Sequence, residues 1–154
     1  MHASSHVLTI LFCCSDFSLP LSHTLFKKIS LQIHETYMGN VLSAGQGQAP
    51  CRQAVIGAGL PPSTICTTIN KVCASGMKSV MLSAQAIQAG NTHHVYLAGG
   101  FESMTNAPHY LRNNRTGIKL GNMALLDGAV HDGLWDVYNN QHMVRRFVNV
   151  WRRK

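Results

Sequence analysis

The chain has 154 residues, 45% hydrophobic and 12% charged, the composition of a globular domain. A chain this long buries roughly 70% of its unfolded surface, so size alone demands no disulfide or metal. Its longest apolar run, VLTILFCC from Val7 to Cys14, is far short of the roughly 20 residues of a transmembrane helix, which excludes such a span. Of the thirteen basic residues behind the formal charge of +7, five are Arg145, Arg146, Arg152, Arg153 and Lys154. The rest of the chain has no basic stripe of the kind that tracks phosphate, so no nucleic-acid partner is expected and the charge reads as a solvated or weakly membrane-attracted tail.

Residues 1–30 show no sustained period of 3.6 or 2 and read as a divergent N-terminal segment. A secretory signal would need a positive region before Val7, where only His2 and His6 stand, and an A-x-A site after the apolar run. From Thr36 the pattern becomes orderly. ETYMGNV, Glu35 to Val41, predicts a strand ended by the Gly and Ser cluster Ser43 to Gly47. Ala49 to Gly59 predicts a short helix of small residues, stopped by Pro61-Pro62. STICTTINKV, Ser63 to Val72, is β-branched and predicts a strand.

After Cys73, apolar residues at Met77, Val80, Met81, Ala84 and Ile87 predict an amphipathic helix closed by Gly90-Asn91, with Met77 and Met81 expected in the core. HVYLAGG, His94 to Gly100, predicts a buried strand, with His93-His94 capping the turn before it. The resulting β-α-β-α-β order predicts an α/β layered fold with largely parallel strands. Beyond Met104 the chain reads as loop, with DGLWDVY from Asp132 to Tyr138 its one dense patch.

The five cysteines, Cys13, Cys14, Cys51, Cys66 and Cys73, form no C-x-x-C pair and no Cys/His ligand spacing, so no metal site is expected. Their odd count fits a reducing compartment. Cys73, in NKVCASGMKS, stands where a strand ends and a helix begins. Unpaired N–H groups at a helix start, with the macrodipole, stabilise a thiolate and can hold an oxyanion. Ala74, Ser75 and Gly76 would keep the approach to the sulfur open. The competing reading is a buried cysteine acting as a small hydrophobe. Glu102 reads either as a polarising acid or as a carboxylate satisfied by nearby backbone N–H groups.

NKVCASGMKS, AGGFESM from Ala98 to Met104, YMGNVLSAGQGQAP from Tyr37 to Pro50 and DGLWDVYN from Asp132 to Asn139 together resemble the thiolase family. The resemblance is greatest to its biosynthetic acetyl-CoA acetyltransferases, plant ones above all. It runs from about Leu31 to Met143, giving a partial thiolase N-terminal domain over 31–143 between the divergent segment 1–30 and a basic tail over 144–154. It implies a layered fold with a mixed sheet and helices on both faces, here lacking the family's first strand and its second half. It implies that Cys73 takes an acetyl group from acetyl-CoA, that His142 and Met143 lie near the acyl-pantetheine arm, and that no cofactor beyond the CoA thioester substrate is needed. Phe101 stands where the family usually has Met, adding bulk near the site.

The resemblance also implies a histidine in a G-H-P motif and a second cysteine in a C-x-G-G-G motif. No cysteine follows Cys73 here, and none of His93, His94, His109, His131 and His142 stands between Gly and Pro. The expectation is an acyltransferase of the thiolase class that is inactive as these residues alone. The alternative is a non-catalytic module associating, as a homo-oligomer or with full-length thiolase subunits, through the strand from Thr67 to Val72. The expected compartment is the cytoplasm, with peroxisome or mitochondrion as alternatives.

Overall fold

The computed structural model describes residues 7–9, 32–91, 94–112, 114–117 and 120–145. The predicted alternation appears as β2 (Ile33–Gly39), α1 (Pro50–Gly57), β3 (Ile65–Ile69), α2 (Ser75–Gln88) and β4 (Val95–Gly100). A strand preceding them, β1 (Val7–Thr9), completes a four-stranded sheet of order β1-β4-β2-β3, and every pairing in it is parallel.

Residues 1–30 carry nothing that resembles the family's first strand, yet a short segment of them pairs with β4. Val7, Leu8 and Thr9 pair with Tyr96, Leu97 and Ala98. Backbone hydrogen bonding does not depend on a family motif, and a short β-branched and apolar run satisfies the groups that β4 would otherwise leave unpaired.

The crossovers β2-α1-β3 and β3-α2-β4 run in opposite directions along the sheet, and right-handed connections then place the two helices on opposite faces. Met38 and Leu97 face the α1 side, where they form an apolar cluster with Cys51, Val55, Leu60 and Ile33. Ile33 joins this side despite its odd spacing because the β2-β4 register shifts between Ile33 and Glu35. Gly39, the residue after Met38, faces α2: a Cβ on it would lie 2.6 Å from Gly76 N and from Ser75 C. Only glycine lets the amino end of α2 rest directly on the sheet there.

The helix α2 meets the sheet with a face that the apolar period does not mark. Ser75, Ser79 and Ser83, four residues apart, are its buried residues, whereas Met77 and Met81 are 69% and 47% exposed. The expectation that these methionines pack in the core is therefore overturned. Small hydroxyl side chains permit the close approach at Gly39, and Ser79 Oγ satisfies itself by donating toward Gly76 O (2.6 Å) and Gly99 O (2.8 Å).

Residues 1–41 with 46–102 form one unit, and residues 42–45 with 103–154 a second. The second is not the expected loop. It contains an antiparallel pair β5 (His109–Leu111) and β6 (Leu125–Asp127), a π-helix Ala129–Leu134, and an antiparallel pair β7 (Trp135–Asp136) and β8 (Gln141–His142). Strands of two or three residues are too short to display a period.

Candidate active site

The loops that follow β2, β3 and β4 converge at the carboxyl edge of the sheet. β2 and β3 are neighbours whose connections leave for opposite faces, the kind of switch point beyond whose strand ends open α/β sheets bind ligands. Cys73 lies there, exposed, between the end of β3 and the start of α2. That exposure removes the reading of Cys73 as a buried small hydrophobe.

A dense turn presents the sulfur. Asn70 Oδ1 accepts from Val72 N–H (3.0 Å), and Asn70 Nδ2 donates to Val41 O (3.4 Å). Ser75 Oγ accepts from Lys71 N–H (2.8 Å) and donates to Val72 O (2.6 Å). These bonds hold Val72 at φ 49°. A β-branched residue in the left-handed region is strained by about 1–3 kcal/mol and persists only where its surroundings impose it. Ser75 is thus buried and occupied, a structural post beneath the turn; the expectation that it keeps an approach open is corrected. Gly76, with nothing within 4 Å of a hypothetical Cβ, does leave space.

No side chain caps α2, and no acidic residue occupies its first turn. Ala74 N–H and Ser75 N–H turn back to Lys71 O and Val72 O, and Lys78 N–H begins the helical ladder at Ala74 O. Between them lie the N–H groups of Gly76 and Met77, at the positive end of the helix. An exposed thiol and uncapped helix N–H groups are the two kinds of group that attack on a carbonyl uses, one as nucleophile and the other as donors to the oxygen that gains negative charge.

Glu102 has the structural role. Its Oε2 accepts from Val41 N–H (2.9 Å) and its Oε1 from Asn40 Nδ2 (3.1 Å), while Asn40 Nδ2 also reaches Phe101 O (3.1 Å). Asn40, fully buried, and Glu102 stitch the end of β2 to the end of β4. The sequence marks these residues in YMGN and FES without revealing that they bond one another. Phe101 packs against the apolar cluster on the α1 side, so its extra bulk enters the core.

His142 and Met143 belong to the second unit and Cys73 to the first. His142 pairs with Trp135 across β7-β8, is half-buried, and its Nδ1 accepts from Val144 N–H (3.3 Å). Met143 is 38% exposed. In the DGLWDVYN patch, Asp132 accepts a short hydrogen bond from Tyr110, which raises that phenol's pKa. Asp136 Oδ1 accepts from Tyr138 N–H and Asn139 N–H. His93 lies outside the described residues; His94 stacks on His34, with ring centroids 4.6 Å apart. Among the described residues, no group of three or more His, Cys, Asp or Glu could hold a metal ion, and no helix is long and apolar enough to cross a membrane.

Residues 27–149 match the model of the thiolase N-terminal domain. The chain is 59% identical over 108 residues to acetyl-CoA acetyltransferase 2 of Arabidopsis thaliana, a match covering 70% of this chain and 27% of that protein. It is 56% identical over 112 residues to the mitochondrial acetyl-CoA acetyltransferase of Homo sapiens, covering 73% of this chain and 26% of that protein. It therefore spans about a quarter of the length of these curated relatives. The crystal structure of Acat5 thiolase from Ascaris suum in complex with coenzyme A superposes with a TM-score of 0.71 at 42% identity, over 80% of this chain and 32% of that one. The parallel sheet, the exposed cysteine at its switch point and a family match across most of the sequence agree: the chain belongs to the thiolase family.

Proposed function

We propose that this chain supplies the nucleophile-bearing part of an acetyl-CoA C-acetyltransferase, with Cys73 as the nucleophile. The observation that carries the proposal is the exposed Cys73 on its strained turn, beside the uncapped start of α2. The sulfur attacks the acetyl-CoA carbonyl carbon, the new C–S bond replaces that to CoA, and CoA leaves with a proton. The deprotonated α-carbon of a second acetyl-CoA then attacks the acetyl-cysteine, releasing acetoacetyl-CoA and the free cysteine. Coenzyme A in the Ascaris suum complex and the names of the curated relatives support this substrate class. His142 and Met143 are assigned to the acyl-pantetheine arm. His142 Nε2 is the ring nitrogen left for a ligand, since Nδ1 is held by Val144 N–H.

The decisive experiment replaces the matched segment of the Arabidopsis thaliana relative by residues 31–143 of this chain. The chimera is expected to form an acetyl-enzyme at Cys73 and to make acetoacetyl-CoA. Cys73→Ala is expected to lower kcat by at least about 10³-fold, and His142→Ala to raise KM for acetyl-CoA more than it lowers kcat. An active Cys73→Ala chimera would remove the proposal. On their own the 154 residues contain no cysteine after Cys73 to move the α-proton, so no CoA turnover above a Cys73→Ala control is expected. The cytoplasm is the proposed compartment, with mitochondrion, as in the human relative's name, or peroxisome as alternatives.

A second reading rests on β3. Among the described residues it is a sheet edge with one neighbour, and Ile65 on it is 59% exposed. An open edge is a template for a further strand, which fits a module that associates with full-length thiolase subunits. Co-purification with a tagged plant thiolase, lost on Thr67→Pro, is the expected result.

A further inference from the structure

On the face of the sheet that carries α1, independently of Cys73, two other thiols are brought together. Cys51 stands in the first turn of α1, 1% exposed. Its N–H donates to Thr68 Oγ1 at 3.1 Å and its Sγ donates to Thr36 O at 3.6 Å. Cys66 is the β3 residue in register with Thr36, and register partners present their side chains on the same side of a sheet. The first turn of α1 therefore lies over the Thr36-Cys66 pair, and Cys66 packs against the apolar cluster that includes Cys51. Burial first, and then the neighbouring Cys66, push the Cys51 thiol up from 9.0 to about 11.

The two thiols differ in access and in company. Cys66 is half-buried, so a small solute reaches it before the sealed Cys51. Arg52 Nη1 lies 3.8 Å from Cys66 Sγ and is fixed by donating to Thr64 O (2.8 Å), while Nη2 donates to Pro62 O (2.7 Å). A guanidinium fixed at that distance from the sulfur is close enough to stabilise negative charge developing on the oxygen that departs when the sulfur attacks a peroxide.

We infer that Cys66 and Cys51 form a hydroperoxide-oxidised dithiol, in which Cys66 is attacked first, Cys51 resolves it, and Arg52 is the positioning residue. In the first step the Cys66 sulfur attacks one oxygen of a hydroperoxide. The S–O bond forms, the O–O bond breaks, and the departing alkoxide or hydroxide takes the Cys66 proton; sulfur is oxidised to sulfenic acid and the peroxide is reduced. In the second step the Cys51 sulfur attacks that of Cys66, the S–S bond forms, the S–O bond breaks, and hydroxide leaves with the Cys51 proton as water. Two thiols and one hydroperoxide give one disulfide, one alcohol or water, and one further water. The bond ties α1 to the edge strand β3.

The test exposes the full chain to hydrogen peroxide in native buffer and in concentrated urea, alkylates the remaining thiols after denaturation, and maps cysteines by peptide mass spectrometry. The expected product in native buffer is a Cys51-Cys66 link within one chain, falling in urea to the level of random pairing. Cys51→Ala should leave Cys66 as a sulfenic acid trapped by dimedone, and Arg52→Gln should slow Cys66 oxidation several-fold. Should Cys51→Ala fail to fold, the comparison of native buffer with urea decides alone. Linkage of Cys66 to Cys73, Cys66 over-oxidised with Cys51 recovered alkylated, or equal linkage in urea would each overturn the inference.

Discussion

Val72 holds a backbone conformation that its branched side chain disfavours, Gly39 a contact that leaves no room for a side chain, and Cys51 a burial that disfavours its thiolate. At Gly39 the sheet and the amino end of α2 touch backbone to backbone, so Gly39→Ala forces a Cβ against Gly76 N at 2.6 Å. The expected cost is about 1–3 kcal/mol, seen as a lower urea midpoint at unchanged slope, together with altered alkylation of Cys73. The Cys51 thiol, raised from 9.0 to about 11 mainly by burial, sets a pH dependence. Between these values the unfolded chain has released a proton that the folded chain still holds, so the contribution is full below pH 9 and is lost as pH rises toward 11. Urea titrations at pH 8 and at about pH 10.5 should show falling stability, with a smaller fall in Cys51→Ala. The sequence placed Cys73 at a strand-to-helix junction because β-branched and small-residue runs change there. It did not reveal Val72's left-handed backbone or Ser75's burial, which arise from hydrogen bonds closed only in the folded turn.

For the elements, periodicity identified β2, α1, β3, α2 and β4 and their order but misassigned the inner side of α2. The apolar residues Met77, Val80 and Met81 mark one face, yet Ser75, Ser79 and Ser83 meet the sheet because the glycine-bearing strands demand close approach. Ser79→Leu is expected to destabilise by about 1–3 kcal/mol through overpacking, and Ser79→Ala by about 1 kcal/mol through lost hydrogen bonds. Met77→Ser, at an exposed site, should stay within about 0.5 kcal/mol. Thermal melts of the three variants check the ranking. β1 was not legible, because three residues carry no period and their place was filled by backbone pairing.

The whole chain divides unevenly. The first unit has a continuous apolar cluster, whereas among the described residues of the second only Leu42 and Gly128 are buried. Leu120, Leu125, Val137 and Tyr138 remain well exposed there. Limited proteolysis is therefore expected to cut first within residues 103–145 and to spare 33–100; early cuts in α2 or β4 would contradict this division. The family itself was legible in four motifs. Their separate duties were not: YMGN and AGGFE serve to join strands and seat a helix, and only NKVCASG displays a reactive group.

The single hydroxyl proton of Ser79, shared between Gly76 O in the first turn of α2 and Gly99 O in β4, has a kinetic corollary. The amides of Lys78 and Ser79 and of Gly99 and Gly100 should exchange with deuterium as slowly as the innermost strand, although the sulfur near them stands in water. Solvent contact at Cys73 is then a property of the closed native state. Its labelling rate should stay flat with added denaturant until the entire unit opens.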